Sequence, residues 1–128
     1  MSNYNNGYRS EHSNYLNGRF SISNRGVDHY NLNNVSFEFK ESFAKNREKI
    51  IFVIPKKQLE ESSFIIFNVH NEEFYIVRSS EFLMRYSFKN YYKRCYPRIN
   101  IIKDLSFYET DNLDDLKNFM DKLTINDI

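Results

Sequence analysis

Alternation along residues 35–40 constrains the fold of this chain more than any other feature of its sequence. Side chains of a β-strand point alternately to its two faces, so the pattern predicts a strand with one apolar face and one polar face. The apolar face comprises Val35, Phe37 and Phe39, and the polar face comprises Ser36, Glu38 and Lys40. Burial of an isolated charge is costly, so Glu38 and Lys40 require a charged partner or a metal ion if the strand is internal.

Further extended segments predict that this strand belongs to a mixed sheet. The chain contains 12 Phe and 10 Tyr besides many Ile and Val, and such residues favour strands. Turn-forming residues separate the extended segments that we expect at 20–23, 27–31, 35–41, 49–54, 63–69, 74–78 and 99–103. The segment 49–54 is apolar enough to be a central strand. The segments 63–69 and 74–78 are expected to form an antiparallel hairpin, with its turn at Asn71 and Glu72.

Helical spacing of apolar residues predicts helices beside these strands. We expect helical segments at 8–17 and 56–61. Ser79 is expected to cap a third helix, with Phe82 and Leu83 on its buried side. Thr110 or Asp111 is expected to cap the last helix. The apolar stripe of that helix comprises Leu113, Leu116, Met120 and Leu123. Strands and helices together predict an α/β domain with a mixed sheet.

Length, charge and cysteine content limit the classes of protein to which the chain can belong. The 128 residues suit a single domain over 1–128, with a flexible polar start at 1–7. The formal net charge is only +1, so overall charge predicts no particular partner. The lone Cys95 excludes an internal disulfide and a cysteine-built zinc site, and no apolar run is long enough to span a membrane. We therefore expect a soluble, intracellular protein of the cytoplasm with no membrane partner.

The position of Asp28 relative to Glu38 depends on the turn between the first two strands of the motif. A two-residue turn would place Asp28 opposite Phe39, whose side chain belongs to the apolar face. A three-residue loop at 32–34 would instead place Asp28 opposite Glu38, with Asn34 in a left-handed conformation or an equivalent bulge. Directly opposed side chains have Cβ atoms about 5 Å apart, close enough for two carboxylates to share a cation. We therefore predict the three-residue loop.

Asp28, Glu38 and Lys40 are residue types that suit metal-dependent hydrolysis of a phosphodiester. Two carboxylates hold Mg²⁺, or Mn²⁺ as a substitute, and leave positions for water and a phosphate. The metal activates the water and offsets charge on the phosphoryl oxygens. Lys40 is expected to position that water or to stabilise the developing negative charge. The constellation therefore predicts a catalytic centre for phosphodiester hydrolysis.

The spacing of this triplet alone is weak evidence, since residues 115–117 have the same D-x-K spacing on a predicted helix. Its strand context and the preceding Asp28 distinguish the triplet at 38–40. The segments 26–28 and 35–40 resemble the core motif of the PD-(D/E)xK nucleases, a superfamily that includes restriction enzymes, Holliday-junction resolvases and DNA-repair nucleases. The resemblance extends to about Phe82 and implies a restriction-endonuclease-like core with Mg²⁺-dependent activity on DNA.

The same resemblance implies further elements of the site. The segment 49–54 resembles the next core strand, and 56–59 resembles a helix start that often carries a Gln or Lys near the metal, which makes Gln58 a candidate catalytic residue. An upstream helix often supplies another acidic metal ligand, and Glu11 would match. The chain departs from the family pattern in having Val27 where Pro usually precedes the Asp.

The stretch 85–103 is strongly basic and rich in tyrosine. Arg85, Lys89 and Lys93 recur every four residues, so a helix would place them on one face, and Arg94 and Arg98 add charge. Such a surface neutralises phosphates and stacks against exposed bases, which predicts contact with DNA. The alternative is an amphipathic segment whose tyrosines pack on the core while its cations face water.

Three functions stay open at the level of sequence. The leading one is a Mg²⁺-dependent DNA endonuclease, working as a homodimer whose two-fold symmetry would let it cut both strands. The second is a non-catalytic module that binds nucleic acid or another partner and keeps the nuclease-like fold, in a phage-related role. The third is an unrelated α/β domain of a larger complex.

Overall fold

The computed structural model describes residues 20, 26–88 and 93–128, and a five-stranded mixed β-sheet forms its centre. The strands are β1 (His29–Tyr30), β2 (Ser36–Ser42), β3 (Ile54–Pro55), β4 (Phe64–Val69), β5 (Glu73–Arg78), β6 (Arg94–Cys95) and β7 (Tyr108–Thr110). The helices are α1 (Lys56–Glu61), α2 (Ser79–Arg85), α3 (Ile99–Leu105) and α4 (Leu113–Lys122), with 3₁₀ turns at Arg47–Lys49 and Ile125–Asp127. The expected α/β class with a mixed sheet and flanking helices is confirmed.

Strand β2 lies inside the sheet, which has the order β1-β2-β4-β5-β7. It pairs antiparallel with β1 on one side and parallel with β4 on the other. Parallel pairing requires a crossover of a dozen residues or more, and residues 43–63 provide it. Strands β5 and β7 continue the sheet in antiparallel register. The hairpin expected from 63–69 and 74–78 is therefore confirmed, whereas β7 was not expected.

Helix α4 covers one face of the sheet. Its apolar stripe, predicted from helical spacing, is buried against side chains of β2, β4 and β5, including Phe37, Phe39 and Phe64. The cap of this helix differs from the expectation, because Asn112 rather than Thr110 or Asp111 occupies the N-cap position. The Asn112 side chain accepts a hydrogen bond of 3.0 Å from the amide of Asp115.

The segment 49–54 is not a central strand of the sheet, contrary to the sequence expectation. Its side chains alternate in burial, with Ile50, Phe52 and Ile54 buried while Ile51 and Val53 face solvent. The segment pairs instead with residues 94–98, through the β3–β6 ladder, an Ile51–Arg98 bridge and a 3.0 Å hydrogen bond from Phe52 to the Pro97 carbonyl. We call the antiparallel pair formed by 50–55 and 94–98 the ribbon. The ribbon covers the other face of the sheet, together with α1, α2 and α3.

Two further expectations about secondary structure are wrong. Residues 99–103 belong to helix α3 rather than to a strand, because Ile99, Ile102 and Leu105 recur at helical spacing and pack together on the second face of the sheet. Ser79 is the first residue of α2 rather than its cap, and its hydroxyl contacts that of Ser62 at 3.2 Å. The helix nevertheless buries Phe82 as expected.

Several expectations fall outside the described residues. These are the flexible start at 1–7, the helix at 8–17, and the strand at 20–23 apart from Phe20, which is buried. Within the part of the chain that the structure describes, no helix is both long enough and apolar enough to cross a membrane.

Candidate active site

The turn between β1 and β2 has the geometry predicted from sequence. Pairing of His29 with Phe37 and of Tyr30 with Ser36 leaves a three-residue loop at 32–34. Asn34 has φ of 63°, which is the left-handed conformation expected for it. The amide of Asn31 donates to the Val35 carbonyl at 3.0 Å and closes the loop. Asp28 directly precedes β1, whose first residue pairs with Phe37, the neighbour of Glu38.

Asn31 anchors this turn to the rest of the molecule, a role that sequence reasoning missed. Its buried side-chain oxygen accepts hydrogen bonds from the amides of Asn33 (3.0 Å) and Val35 (2.9 Å). Its side-chain nitrogen donates to the carbonyls of Met120 (2.8 Å) and Leu123 (2.9 Å), at the end of α4. An Asn two residues before an amide that needs a partner is the signature of an Asx turn, and this signal was present in the sequence. The contact with α4 had no such signal.

Asp28 lies at the backbone of the E-x-K triplet. Its amide donates to the Phe37 carbonyl at 3.1 Å, although His29 is the residue paired with Phe37, so two residues of one strand face one residue of the other. This is the arrangement of a β-bulge. Asp28 is only 6% exposed, and its carboxylate accepts a 2.8 Å hydrogen bond from the amide of Phe39, the residue between Glu38 and Lys40.

Glu38 and Lys40 project from β2 towards the ribbon side of the sheet. Their neighbours in the parallel register are Ile65 and Phe67, which belong to the apolar layer beneath the ribbon. Glu38 is 3% exposed and Lys40 is 6% exposed. The prediction of a carboxylate and an ammonium projecting together from a buried strand is confirmed.

Cys95 of the ribbon faces Lys40 across this layer. Burial raises the pKa of the Cys95 thiol to about 11, although its backbone hydrogen bond and the positive charge of Lys40 both act in the opposite direction. The thiol is therefore protonated at neutral pH, and Cys95 is a buried free cysteine.

Helix α1 carries two more oxygen-bearing side chains, and its end lies beside β2, where the Ser36 hydroxyl donates to the Glu61 carbonyl at 3.3 Å. The side-chain oxygen of Gln58 is buried and accepts no hydrogen bond from the described residues. Sequence reasoning missed Glu61, one helical turn later, whose carboxylate oxygen lies 3.9 Å from the place that a Cβ on Gly26 would occupy. Gly26 has φ of +61°, a conformation that residues with a side chain rarely adopt, and it directs the chain into Val27 and Asp28. Lys57 lies 3.8 Å from the Glu61 carboxylate.

These donors suit a hard cation better than a soft one, because they are carboxylate and amide oxygens. Among the described side chains, no group of three or more His, Cys, Asp or Glu residues is arranged to hold a metal ion. Glu11, the third expected carboxylate ligand, lies outside the described residues. His29 packs against the rings of Phe20 and Phe37, with centroids at 5.2 and 5.7 Å.

The predicted basic helix face does not form. Helix α2 ends at Arg85, and the Tyr86 backbone is already extended. The chain leaves the helix because Tyr86 and Phe88 pack on the ribbon side of the sheet. Lys93 has φ of 50° and directly precedes β6, so Arg85 and Lys93 do not share a helix face. Lys89 lies outside the described residues.

Arg94 and Arg98 have a different arrangement from the one expected. Both are exposed on the ribbon, two residues on either side of Tyr96. The four described cations of the predicted set, Arg85, Lys93, Arg94 and Arg98, are therefore distributed over different elements and do not form a single helical stripe.

No family model, curated protein or solved structure matches this chain. The case for a function therefore rests on the geometry of the chain itself.

Proposed function

We propose that this chain is a metal-dependent endonuclease that hydrolyses DNA phosphodiester bonds at a centre formed by Asp28, Glu38 and Lys40. One observation carries the proposal: the Asp28 carboxylate is bound to the Phe39 amide, within the backbone of the E-x-K triplet. The three-residue turn and the bulge bring it there.

A restriction-endonuclease-like core is part of this proposal. The E-x-K strand has an antiparallel neighbour that carries the preceding Asp, and a crossover containing α1 leads to the parallel strand β4. Helix α1 carries Gln58 with its oxygen buried. In this core, β4 is the next strand of the sheet beside β2, whereas the sequence had predicted that the segment 49–54 would take that place.

Asp28 and Glu38 would hold Mg²⁺, or Mn²⁺ in its place, and Gln58 on α1 carries a buried neutral amide oxygen of the kind that such an ion accepts as a ligand. When bound, such an ion lowers the pKa of a ligated water and offsets charge on a phosphate. Lys40 donates hydrogen bonds from its ammonium group and is suited to orient the attacking water or to stabilise negative charge on the phosphoryl oxygens. Apolar residues around Lys40 exclude water, which strengthens that electrostatic effect.

The burial of the site favours a second candidate function. With Glu38 and Lys40 only 3% and 6% exposed, a scissile phosphate reaches them only after the surrounding elements move. A module that retains the fold but binds nucleic acid or another partner without cleaving it needs no such movement. A homodimer, which would place two sites about a two-fold axis, belongs to the endonuclease proposal alone.

A cleavage assay separates these candidates. Supercoiled, linear and branched DNA are incubated with the protein in Mg²⁺, Mn²⁺ or EDTA, beside Glu38→Gln and Asp28→Asn. Asp115→Asn is the matched control, because it changes the other D-x-K triplet, on the exposed side of α4. The endonuclease is supported if cleavage requires metal and is lost in the two site variants but not in the control.

Two further measurements distinguish the remaining candidates if no cleavage is detected. Mn²⁺ binding is followed by electron paramagnetic resonance, and DNA binding by fluorescence anisotropy in EDTA. If the protein binds DNA but neither cleaves it nor binds Mn²⁺, the non-catalytic module is supported. If it binds neither DNA nor Mn²⁺, a domain unrelated to nucleic acid is supported. Sedimentation velocity with and without DNA tests the homodimer.

A further inference from the structure

The outward face of the ribbon carries a pattern that neither the core nor the candidate active site explains. The register pairs Ile51 with Arg98, Ile54 with Cys95 and Pro55 with Arg94. Val53 therefore lies opposite Tyr96, between these pairs. The odd-numbered positions of the first strand and the even-numbered positions of the second all point away from the sheet, because their neighbours Ile50, Phe52, Ile54 and Cys95 are buried.

The exposed face is apolar in its middle and positively charged at both ends. Tyr96 is 50% exposed, and Ile51 and Val53 are each 44% exposed beside it. Arg94 and Arg98 are exposed on either side of Tyr96 along the same strand. The six side chains of this face include no acidic residue. Successive outward residues lie about 6.6 Å apart and the two arginines about 13 Å apart, from the rise of a β-strand.

We propose that this face binds an unpaired nucleic-acid strand, with a base stacked on Tyr96 and phosphates contacted by Arg94 and Arg98. Positive charge selects a polyanion, and an exposed aromatic ring between two cations adds a platform for a base. A base inside a duplex has both faces covered by its neighbours, so a flat aromatic platform contacts only unpaired bases. An acidic peptide would match the charge of the arginines, but its carboxylates would offer nothing to the tyrosine ring and the apolar centre.

The position of the ribbon relates this surface to the candidate active site. Cys95 points inward to Lys40, whereas its neighbours Arg94 and Tyr96 point outward from the same strand. A strand bound on the outer face is therefore separated from the E-x-K strand by the thickness of the ribbon. The inference rests on the proposed function only in taking nucleic acid as the ligand, and it does not require cleavage.

The chain contains no tryptophan, so Tyr96→Trp introduces a single fluorescent reporter at the proposed platform. The probe is an oligothymidylate of about 12 nucleotides, within the usual range for single-strand binding sites, titrated in EDTA. Stacking is expected to quench the fluorescence of Tyr96→Trp. Tyr30→Trp is the matched control, because Tyr30 is 53% exposed but lies on β1, and its fluorescence should not change. Equal quenching of the two variants, or quenching of neither, would overturn the inference.

Anisotropy measurements with the labelled oligonucleotide give the energetic test. Tyr96→Ala should weaken binding roughly tenfold, whereas Tyr96→Phe, which keeps the ring, should stay within about twofold. Arg98→Gln should lower the slope of log K against log salt by about 0.7, the value for one phosphate contact on a single strand. Lys122→Gln, an exposed cation on α4, should leave the slope unchanged. Melting temperatures of all variants establish that they are folded.

Competition identifies the ligand class. A blunt duplex of the same length and a poly-glutamate peptide are added to the preformed complex. The inference predicts that both displace the oligothymidylate more weakly than unlabelled oligothymidylate does. Equal displacement by the duplex or by poly-glutamate would contradict it. Its failure is distinguishable from failure of the proposed function, because binding is measured in EDTA and cleavage in Mg²⁺.

Discussion

Replacement of Asn31 by Ala should destabilise the protein by about 4 kcal/mol. The Asn31 side chain makes four hydrogen bonds, two accepted from amides of the β1–β2 turn and two donated to carbonyls at the end of α4. A buried hydrogen bond contributes about 1 kcal/mol net, and more if its partner is left buried without a replacement. Because domains are typically stable by about 5–15 kcal/mol, this one side chain accounts for a large share of the total.

Urea denaturation followed by circular dichroism measures this effect, and an unchanged m-value establishes that the compactness of both states is preserved. Asn33→Ala is the control in the same turn. Asn33 is exposed, and its side chain donates to the Leu123 carbonyl at 3.0 Å, so its loss should cost less than about 1 kcal/mol. If Asn31→Ala costs no more than Asn33→Ala, the argument that Asn31 joins the turn to α4 is refuted.

Asn31→Asp separates the two halves of this interaction. A carboxylate still accepts from the turn amides, but it cannot donate to the carbonyls of Met120 and Leu123 and is repelled by them. Its destabilisation should therefore be large at neutral pH and smaller in mild acid, where the protonated carboxyl donates again. Equal destabilisation at both pH values would contradict this account.

Three further predictions concern stability. Cys95 has a folded pKa of about 11 against its ordinary value of 9.0, so the protonated thiol stabilises the folded state below pH 9 and this stability is lost as the pH rises through 11. The loss of stability is at most about 3 kcal/mol, since each pH unit between the folded and unfolded pKa corresponds to about 1.4 kcal/mol. Urea titrations between pH 9 and pH 11 should show this loss, and Cys95→Ala should abolish it. Gly26→Ala should cost about 1 kcal/mol because Gly26 has a positive φ. A clash is not the cause, since the nearest atom, on Glu61, is at ordinary contact distance. A change in melting temperature no larger than that of an exposed surface substitution would contradict this prediction. Asn112→Ala should cost about 1 kcal/mol by removing the cap of α4, whereas Asp111→Ala should change the urea midpoint little. A larger effect of Asp111→Ala than of Asn112→Ala would instead identify Asp111 as the cap, as the sequence predicted.

Local repetition made the central features of this fold predictable. Strict alternation of apolar and polar residues predicted strand β2. An apolar stripe at helical spacing, whose members are all buried, predicted α4. The turn between β1 and β2 was predictable because a single residue more or less in the loop would move Asp28 to the wrong face. The juxtaposition of Asp28 with the E-x-K triplet follows from these local rules, although its hydrogen bond to the Phe39 amide does not.

Short apolar runs were decided by their partners rather than by their own residues. Segments 49–54 and 99–103 are both rich in isoleucine, yet one became a ribbon strand with one side in water and the other became helix α3. Runs of this length carry too few periods to distinguish a strand from a helix. Likewise, the four-residue spacing of Arg85, Lys89 and Lys93 indicated a helix, but packing of Tyr86 on the sheet ends α2 at Arg85.

The sequence by itself determined which residues of β2 are apolar, which are charged and how they alternate, because these properties depend only on the two-residue period of a strand. Only the tertiary structure decided what lies opposite those charges. The long crossover from β2 to β4 places residues 50–54 beside 94–98, and the ribbon that they form covers the face of the sheet that carries Glu38 and Lys40. The same pairing directs Arg94, Tyr96 and Arg98 outward. Contacts between segments so far apart in the chain depend on the packing of the whole domain, and no local period encodes them.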